Sequence, residues 1–265
     1  MDYKSGKIAQ QIIELQHEDG TWGNEFHSLA MPNNRTQLTT EQALRRLKYL
    51  GFTIEDEPIR KAVDCMVSCL RGERKIDNYW EKGRDWALFT KLMLSTWVRI
   101  FEPENKVALE FAKHWVNIFE KAFHQNPQCP REIDVVSFYE INLLKGLLSK
   151  ETESRMLDYV INHEKGIYYI YDKPISVLPK DFQSIAASRY LAAIDILAGY
   201  ESVKEKLGFV VEWLESNRDE DGQWDLGQKA KDNVHFPLSD SWRTAEARKA
   251  DCTAKISAVL KKLRV

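Results

Sequence analysis

Apolar residues recur at three-and-four spacing along much of the chain. Over 55–72 they are Ile59, Ala62, Val63, Met66 and Leu70, and over 202–217 they are Val203, Leu207, Val210, Val211 and Leu214. That period places them on one face of an α-helix, so each stretch predicts a helix with a single buried stripe. Stripe helices are also predicted near 5–16, 105–123 and 151–163. A second kind of segment differs. The stretch 86–101 carries only Lys91 and Arg99 as charges, and 134–148 and 184–200 are apolar around most of their circumference. Such helices must be covered on more than one side. Together with 40–50 and the more polar 243–263 they alternate with the stripe helices, starting roughly every 46–60 residues. The expectation is an all-α fold of about five αα-hairpins in one domain over 1–265, with enclosed helices inside and stripe helices outside, closed as a ring or left as an open solenoid.

Local signals agree with these boundaries. Thr39 and Thr40 precede a helix whose Glu41 or Gln42 can close a capping box, and Gly51 follows its last apolar residue, Leu50. Pro58, Pro103, Pro127, Pro130, Pro174, Pro179 and Pro237 lie at or outside helix ends, where a missing amide is harmless. The one plausible extended stretch is Gly166 to Tyr171.

Two segments repeat each other. Residues 12–23 end in Asp19-Gly20-Thr21-Trp22 and residues 211–225 contain Asp221-Gly222-Gln223-Trp224, each closing a stripe helix. A left-handed glycine can stop the helix there, and the tryptophan can fold back over its end. Gln16 precedes the first turn, with Asn217 or Arg218 in its place before the second. These turns resemble the Gln-Trp repeat of the squalene-hopene and terpenoid cyclase group, whose α/α-toroid is shared with protein prenyltransferase β subunits. The resemblance implies that toroid and an isoprenoid-like ligand. It does not carry over the family's chemistry. The Asp-x-Asp-Asp acid motif is absent, its nearest string being Asp219-Glu220-Asp221 inside the turn. No Asp-Asp pair exists for a magnesium motif, and Asp64-Cys65 and Asp251-Cys252 lack the spacing of the prenyltransferase zinc ligands. No metal and no cofactor are expected.

Composition narrows the classes further. Lys and Arg number 38 against 40 Asp and Glu, a net charge of −2, which gives no whole-chain field for nucleic acid. No apolar run reaches the roughly 18–20 residues that span a bilayer, and the chain opens on the charged Met1-Asp2-Tyr3-Lys4, so a soluble, cytoplasmic protein is expected. Cys65, Cys69, Cys129 and Cys252 read as free thiols.

Candidate chemistry gathers at the N-termini of the inner helices, where helix dipoles favour a ligand mouth. Asp85 is the candidate acid, placed before an almost wholly apolar helix where desolvation would raise its pKa. Its neighbour Arg84 would instead hold it ionised. His27 and His235 each follow a tryptophan turn and precede an inner helix, as proton shuttles or as plain surface residues. Trp86, Asp134, Phe138, Tyr169, Arg189, Tyr190, Asp240, Trp242 and Arg243 are expected to line the mouth, although Asp85, Asp134 and Asp240 also suit helix caps. The Tyr168, Tyr169 and Tyr171 cluster is either a lid or a cover over apolar surface. The expected function is to bind or transform a small, largely apolar molecule in a central cavity, as a terpenoid cyclase-like enzyme using acid–base chemistry where it is an enzyme. Two alternatives stand beside it: an α/α-barrel glycosidase or polysaccharide lyase, and a non-catalytic helical scaffold that binds a protein partner.

Overall fold

The computed structural model describes residues 2–27, 38–76, 86–126, 130, 133–232 and 234–264. It is mostly helical, and the chain divides into two compact units, Met1–His114 and Trp115–Val265. Among the described residues no helix is long and apolar enough to cross a membrane.

The first unit opens with α1 (Lys7–Glu14), which buries only Ala9 and Ile12. In α2 (Thr40–Tyr49) every residue from Thr40 to Leu47 is buried. The helix starts where it does because Thr39 and Gln42 close a capping box, each side chain satisfying the other residue's amide. The third helix, α3 (Glu57–Leu70), buries the predicted stripe of Ile59, Ala62, Val63, Met66 and Leu70, joined by Cys65 and Val67. It packs along α4 (Trp86–Phe101), in which all eight residues from Leu92 to Arg99 are buried. The contrast between striped and enclosed helices is therefore physical, and each fully buried large apolar side chain contributes about 1.5–3 kcal/mol to holding it. The division between the units falls within α5 (Lys106–Gln125).

In the second unit the enclosed helix expected over 134–148 is shorter. Val136–Ser137 form a short strand, β1, and the helix that follows is α6 (Phe138–Leu143). Ser137 spends its hydroxyl on the N-cap, closing a capping box with Glu140, so helical backbone cannot start earlier. Gly146, at φ 72°, ends the segment in the left-handed region. Beyond it, α7 (Lys150–Asn162) carries its stripe on Met156, Leu157, Val160 and Ile161. Strand β2 (Ile167–Tyr168), inside the expected extended stretch, pairs in parallel with β1. The enclosed α8 (Ile185–Leu197) begins at the Ser184 cap. The stripe helix expected over 202–217 is broken into a 3-10 turn, Glu201–Lys206, and α9 (Gly208–Ser216). Its apolar face survives the break, since Val203, Leu207, Val210 and Leu214 are all buried. The last helix, α10 (Ala245–Leu263), starts at the Thr244 cap and buries one side, including Asp251 and Cys252.

The two tryptophan turns close in the same way. Trp22 donates its indole N–H to the Ile12 carbonyl at 2.8 Å, and Trp224 donates to Leu214 at 2.6 Å. Their backbone amides are held by Thr40 Oγ1 at 3.0 Å and Thr253 Oγ1 at 3.1 Å. Gln16 Nε2 donates to the Gly20 carbonyl at 3.1 Å, and Arg218 Nε donates to the Gly222 carbonyl at 2.9 Å. Arg218, not Asn217, thus fills the glutamine's place in the second turn. Each turn ties the end of a stripe helix to a second helix, α2 in the first case and α10 in the other.

Candidate functional site

Within the first unit, the loop after the first tryptophan turn brings His27 to the start of α2. His27 Nδ1 lies 2.6 Å from Glu41 Oε2, and Glu41 Oε1 accepts the Trp97 indole N–H at 2.5 Å. Glu41 is fully buried, whereas the His27 side chain keeps 17 % exposure. The buried carboxylate is therefore fixed from two sides, and the imidazole bonded to it is the member of the group in contact with solvent. This is the arrangement in which a carboxylate orients a histidine and fixes its tautomer. Beside the imidazole stand the half-buried Trp86 and Phe89 of the first turns of α4. Their ring centroids lie 6.4 and 5.1 Å from that of His27, and they are 5.5 Å from each other. A polar proton carrier and an apolar wall thus meet at the N-termini of α2 and α4. Asp85, the expected acid, lies outside the described residues.

His235, in the second unit, is placed differently. It is only 5 % exposed, with Nδ1 2.8 Å from Asp232 Oδ2. The other oxygen of Asp232 accepts the backbone amides of Val234, His235 and Phe236 at 3.0, 2.8 and 3.2 Å. Burial pushes the Asp232 carboxyl upward, but the bonds from His235 and the backbone outweigh it and leave the group well below the usual carboxylate range. The pair closes a turn around its own backbone.

The remaining candidates scatter. Asp134, Arg189, Asp240 and Arg243 are exposed. Trp242 is buried and donates its indole N–H to Asp251 Oδ2 at 2.7 Å. That oxygen also accepts the amides of Leu238 and Ser239 and the Ser239 hydroxyl, while Oδ1 of the same buried carboxylate has no partner among the described residues. Tyr190 is fully buried, bonded to the Ile175 carbonyl at 2.9 Å and edge-on to Tyr171 and Trp213. Phe138 is buried against Tyr139. Tyr169, half-buried, holds a positive φ of 74° and has its ring 4.2 Å from that of Tyr168. Tyr171 is buried at 6 % exposure, with its ring 5.2 Å from that of Tyr190.

A groove of about 520 Å³ does exist in the second unit, but its walls are residues 180–183 with Asn217, Asp219, Asp225 and Lys249. Of the residues at inner-helix starts that were expected to form a mouth, only Gln183 takes part in it. Ser184, the cap of α8, adjoins it in sequence, so the opening is beside an enclosed helix start as anticipated, yet built from the preceding loop and the second tryptophan turn. Among the described residues, no three His, Cys, Asp or Glu side chains converge in a way that could hold a metal ion.

Sequence reasoning placed Glu41 at a helix start as a capping and mouth residue without pairing it to His27, and passed over Trp97 and Phe89. A usable signal was present: a tryptophan in an enclosed helix needs an acceptor for its N–H, and a carboxylate at a neighbouring helix start can supply one. Comparison of the chain with models of known families, with curated proteins and with solved structures finds no match.

Proposed function

We propose that this chain binds a small, largely apolar molecule at the N-terminal ends of its inner helices and acts on it by proton transfer through His27. One observation carries the reading: the His27–Glu41–Trp97 chain of hydrogen bonds, set against Trp86 and Phe89. Trp97 positions Glu41, Glu41 positions His27, and the two rings supply contact area for an apolar ligand. As its frame we propose an α/α-toroid, which the alternation of striped and enclosed helices and the two equivalent tryptophan turns support. The resemblance of those turns to the terpenoid cyclase repeat favours an isoprenoid as the ligand, an argument from analogy of fold.

The test is incubation with farnesol, geranylgeraniol and squalene in deuterated water, with ligand binding followed by tryptophan fluorescence and products by mass spectrometry. Binding of at least one probe, weakened in Trp86→Ala, together with deuterium incorporation lost in His27→Ala, is the expected result. Binding and conversion that are both unaffected by His27→Ala and Trp86→Ala would overturn it, as would the absence of any binding.

A further inference from the structure

The groove of the second unit is chemically unlike the site around His27. Its volume of about 520 Å³ falls within the range that small-molecule sites occupy. Two of the carboxylates in its walls are already paired with cations. Lys249 Nζ sits 2.6 Å from Asp219 Oδ2, and Arg248 clamps Asp225 through two bonds of 2.6 and 2.7 Å. Both carboxylates also anchor backbone: Asp219 takes the Gln223 amide at 2.8 Å and Asp225 the Gly227 amide at 2.7 Å. They are stiff, oriented acceptors whose charge is spent within the protein.

The same walls hold further polar groups. Lys180 is exposed and has no ion-pair partner among the described residues, Gln183 donates to the Asp225 carbonyl at 3.5 Å and keeps a second amide hydrogen, and Asn217, whose amide nitrogen is spent on Trp213 and Ser216, leaves its amide oxygen as an acceptor. Phe182 adds one apolar surface and is held in place edge-on by Trp213, 5.1 Å away, which in turn abuts Tyr190 at 5.4 Å. An anion would meet three carboxylates, those of Asp181, Asp219 and Asp225, and a cation would meet Lys180 and Lys249. A wholly apolar ligand would strip water from all of them without replacing its hydrogen bonds. The chemistry that suits these walls is an uncharged molecule bearing many hydroxyls, each able to donate and accept, on a ring with a C–H face for Phe182.

We propose that this groove binds a neutral saccharide. Lys249 and the Gln223 amide hold Asp219 below the ordinary carboxylate range, and for Asp225 burial acts upward but Arg248 and the Gly227 amide outweigh it, so both serve as fixed acceptors for sugar hydroxyls. The groove is independent of the site around His27, so either assignment can fail alone.

The experiment is titration of the full chain with maltohexaose, cellohexaose, xylohexaose and chitohexaose up to about 10 mM, followed by NMR and calorimetry. At least one should bind saturably with Kd in the range of about 0.1–1 mM. Phe182→Ala should weaken that binding by about tenfold or more, His27→Ala should leave it unchanged, and inorganic phosphate should not compete. Phe182→Leu keeps apolar bulk without the ring and serves where the alanine variant fails to fold. Absence of binding by all four sugars overturns the proposal, as does tighter binding of phosphate, or sugar binding that survives undiminished in the folded Phe182 variant.

Discussion

The two tryptophan turns share a backbone plan, yet the histidine that follows each one is put to a different use. In the first unit the carboxylate that meets the histidine comes from a different element, 14 residues away at the head of α2, and is fixed from its other side by Trp97 on α4. In the second unit the carboxylate is Asp232, three residues before the histidine, and its second oxygen is filled by three backbone amides. The second unit also has a buried carboxylate at an indole, Asp251 at Trp242, but the other donors to its bonded oxygen are a serine side chain and backbone amides, with no imidazole among them. A repeated turn therefore fixes where helices end and which elements touch, while the carboxylate's origin decides what the histidine can do. A partner supplied by a neighbouring helix positions a side chain; one supplied by the same loop closes a turn.

The largest effect should come from what the turns have in common. Trp22 and Trp224 are 1 % and 3 % exposed and both cap a helix end through the indole. Replacing either by alanine should cost about 3–5 kcal/mol, read as a shift in the urea midpoint. If one of the two proves neutral, the turns are not structural equivalents and the comparison breaks.

The glycines should separate the turns. Gly20 has φ 88° and Gly222 φ 77°, so alanine is strained at both, at a cost of about 1–2 kcal/mol. Only at Gly20 would the added Cβ also run into backbone, the carbonyl of Lys61 in α3. At Gly222 the nearest atom is the end of the Arg218 side chain, at 3.0 Å, which can swing away. Gly20→Ala should therefore destabilise by about 3 kcal/mol or more and Gly222→Ala by about 1–2 kcal/mol. Equal midpoints for the two variants would show that the first turn is not wedged against α3.

How much of this could be read from the chain depended on the range of the interaction. Helix positions followed from periodicity, and the tryptophan turns from four adjacent residues, because both are local. The failures were also instructive. The helix over 134–148 was overextended because Val136 and Ser137 are apolar or small enough to continue the pattern, while the Ser137 cap that halts it is a choice between two local hydrogen bonds. The helix over 202–217 kept its apolar spacing through a break at Leu207, since a 3-10 turn can preserve the buried face. Of the candidate site, His27 and Trp86 were legible and come together. Their partner Trp97 lies 56 residues from Glu41, and nothing in the spacing reports such a meeting. Arg189, Asp240 and Arg243 were chosen for lying near helix starts, but an N-terminal position fixes the height of a residue on a helix and not the face it occupies.

Acid should act next on the buried carboxylates of the second unit. Burial raises the carboxyls of Asp195 and Asp232, but Lys255 and Lys262 in the first case and His235 with backbone amides in the second more than reverse it, so both titrate below their ordinary value. A carboxyl with a depressed folded pKa contributes stability that is complete above the unfolded pKa of about 3.9 and is lost as pH falls through the folded value. The second unit should hold its stability down to about pH 4 and lose it progressively below. Asp195→Asn should flatten that acid limb while lowering stability at neutral pH by about 3 kcal/mol, because it leaves two lysines beside a neutral group. An unchanged acid limb in this variant, followed by tryptophan fluorescence and hydrogen exchange, would remove Asp195 from the account.

The smallest effect is the one that bears most on function, the cost of removing each histidine. His235→Gln leaves the buried Asp232 carboxylate without its imidazole partner while its backbone bonds remain, so stability should fall by about 1–3 kcal/mol. Stability loss is the expected readout there, because the pair serves its own turn. His27→Gln removes a side chain that is partly in water, and the Glu41 oxygen it leaves can accept from the glutamine amide, so the cost should stay below about 1 kcal/mol. A residue that orders the fold little, yet is held by a buried carboxylate which is itself held by a buried tryptophan, is organised beyond what stability requires. NMR offers the complementary view. In the wild type the His27 Nδ1 should carry the proton shared with Glu41, and Trp97→Phe should weaken or broaden that Nδ1–H signal, because Glu41 without the indole N–H is no longer fixed from both sides. If His27→Gln instead costs as much as His235→Gln, and Trp97→Phe leaves the His27 Nδ1–H signal where it was, the two histidines are structural equivalents like the turns before them.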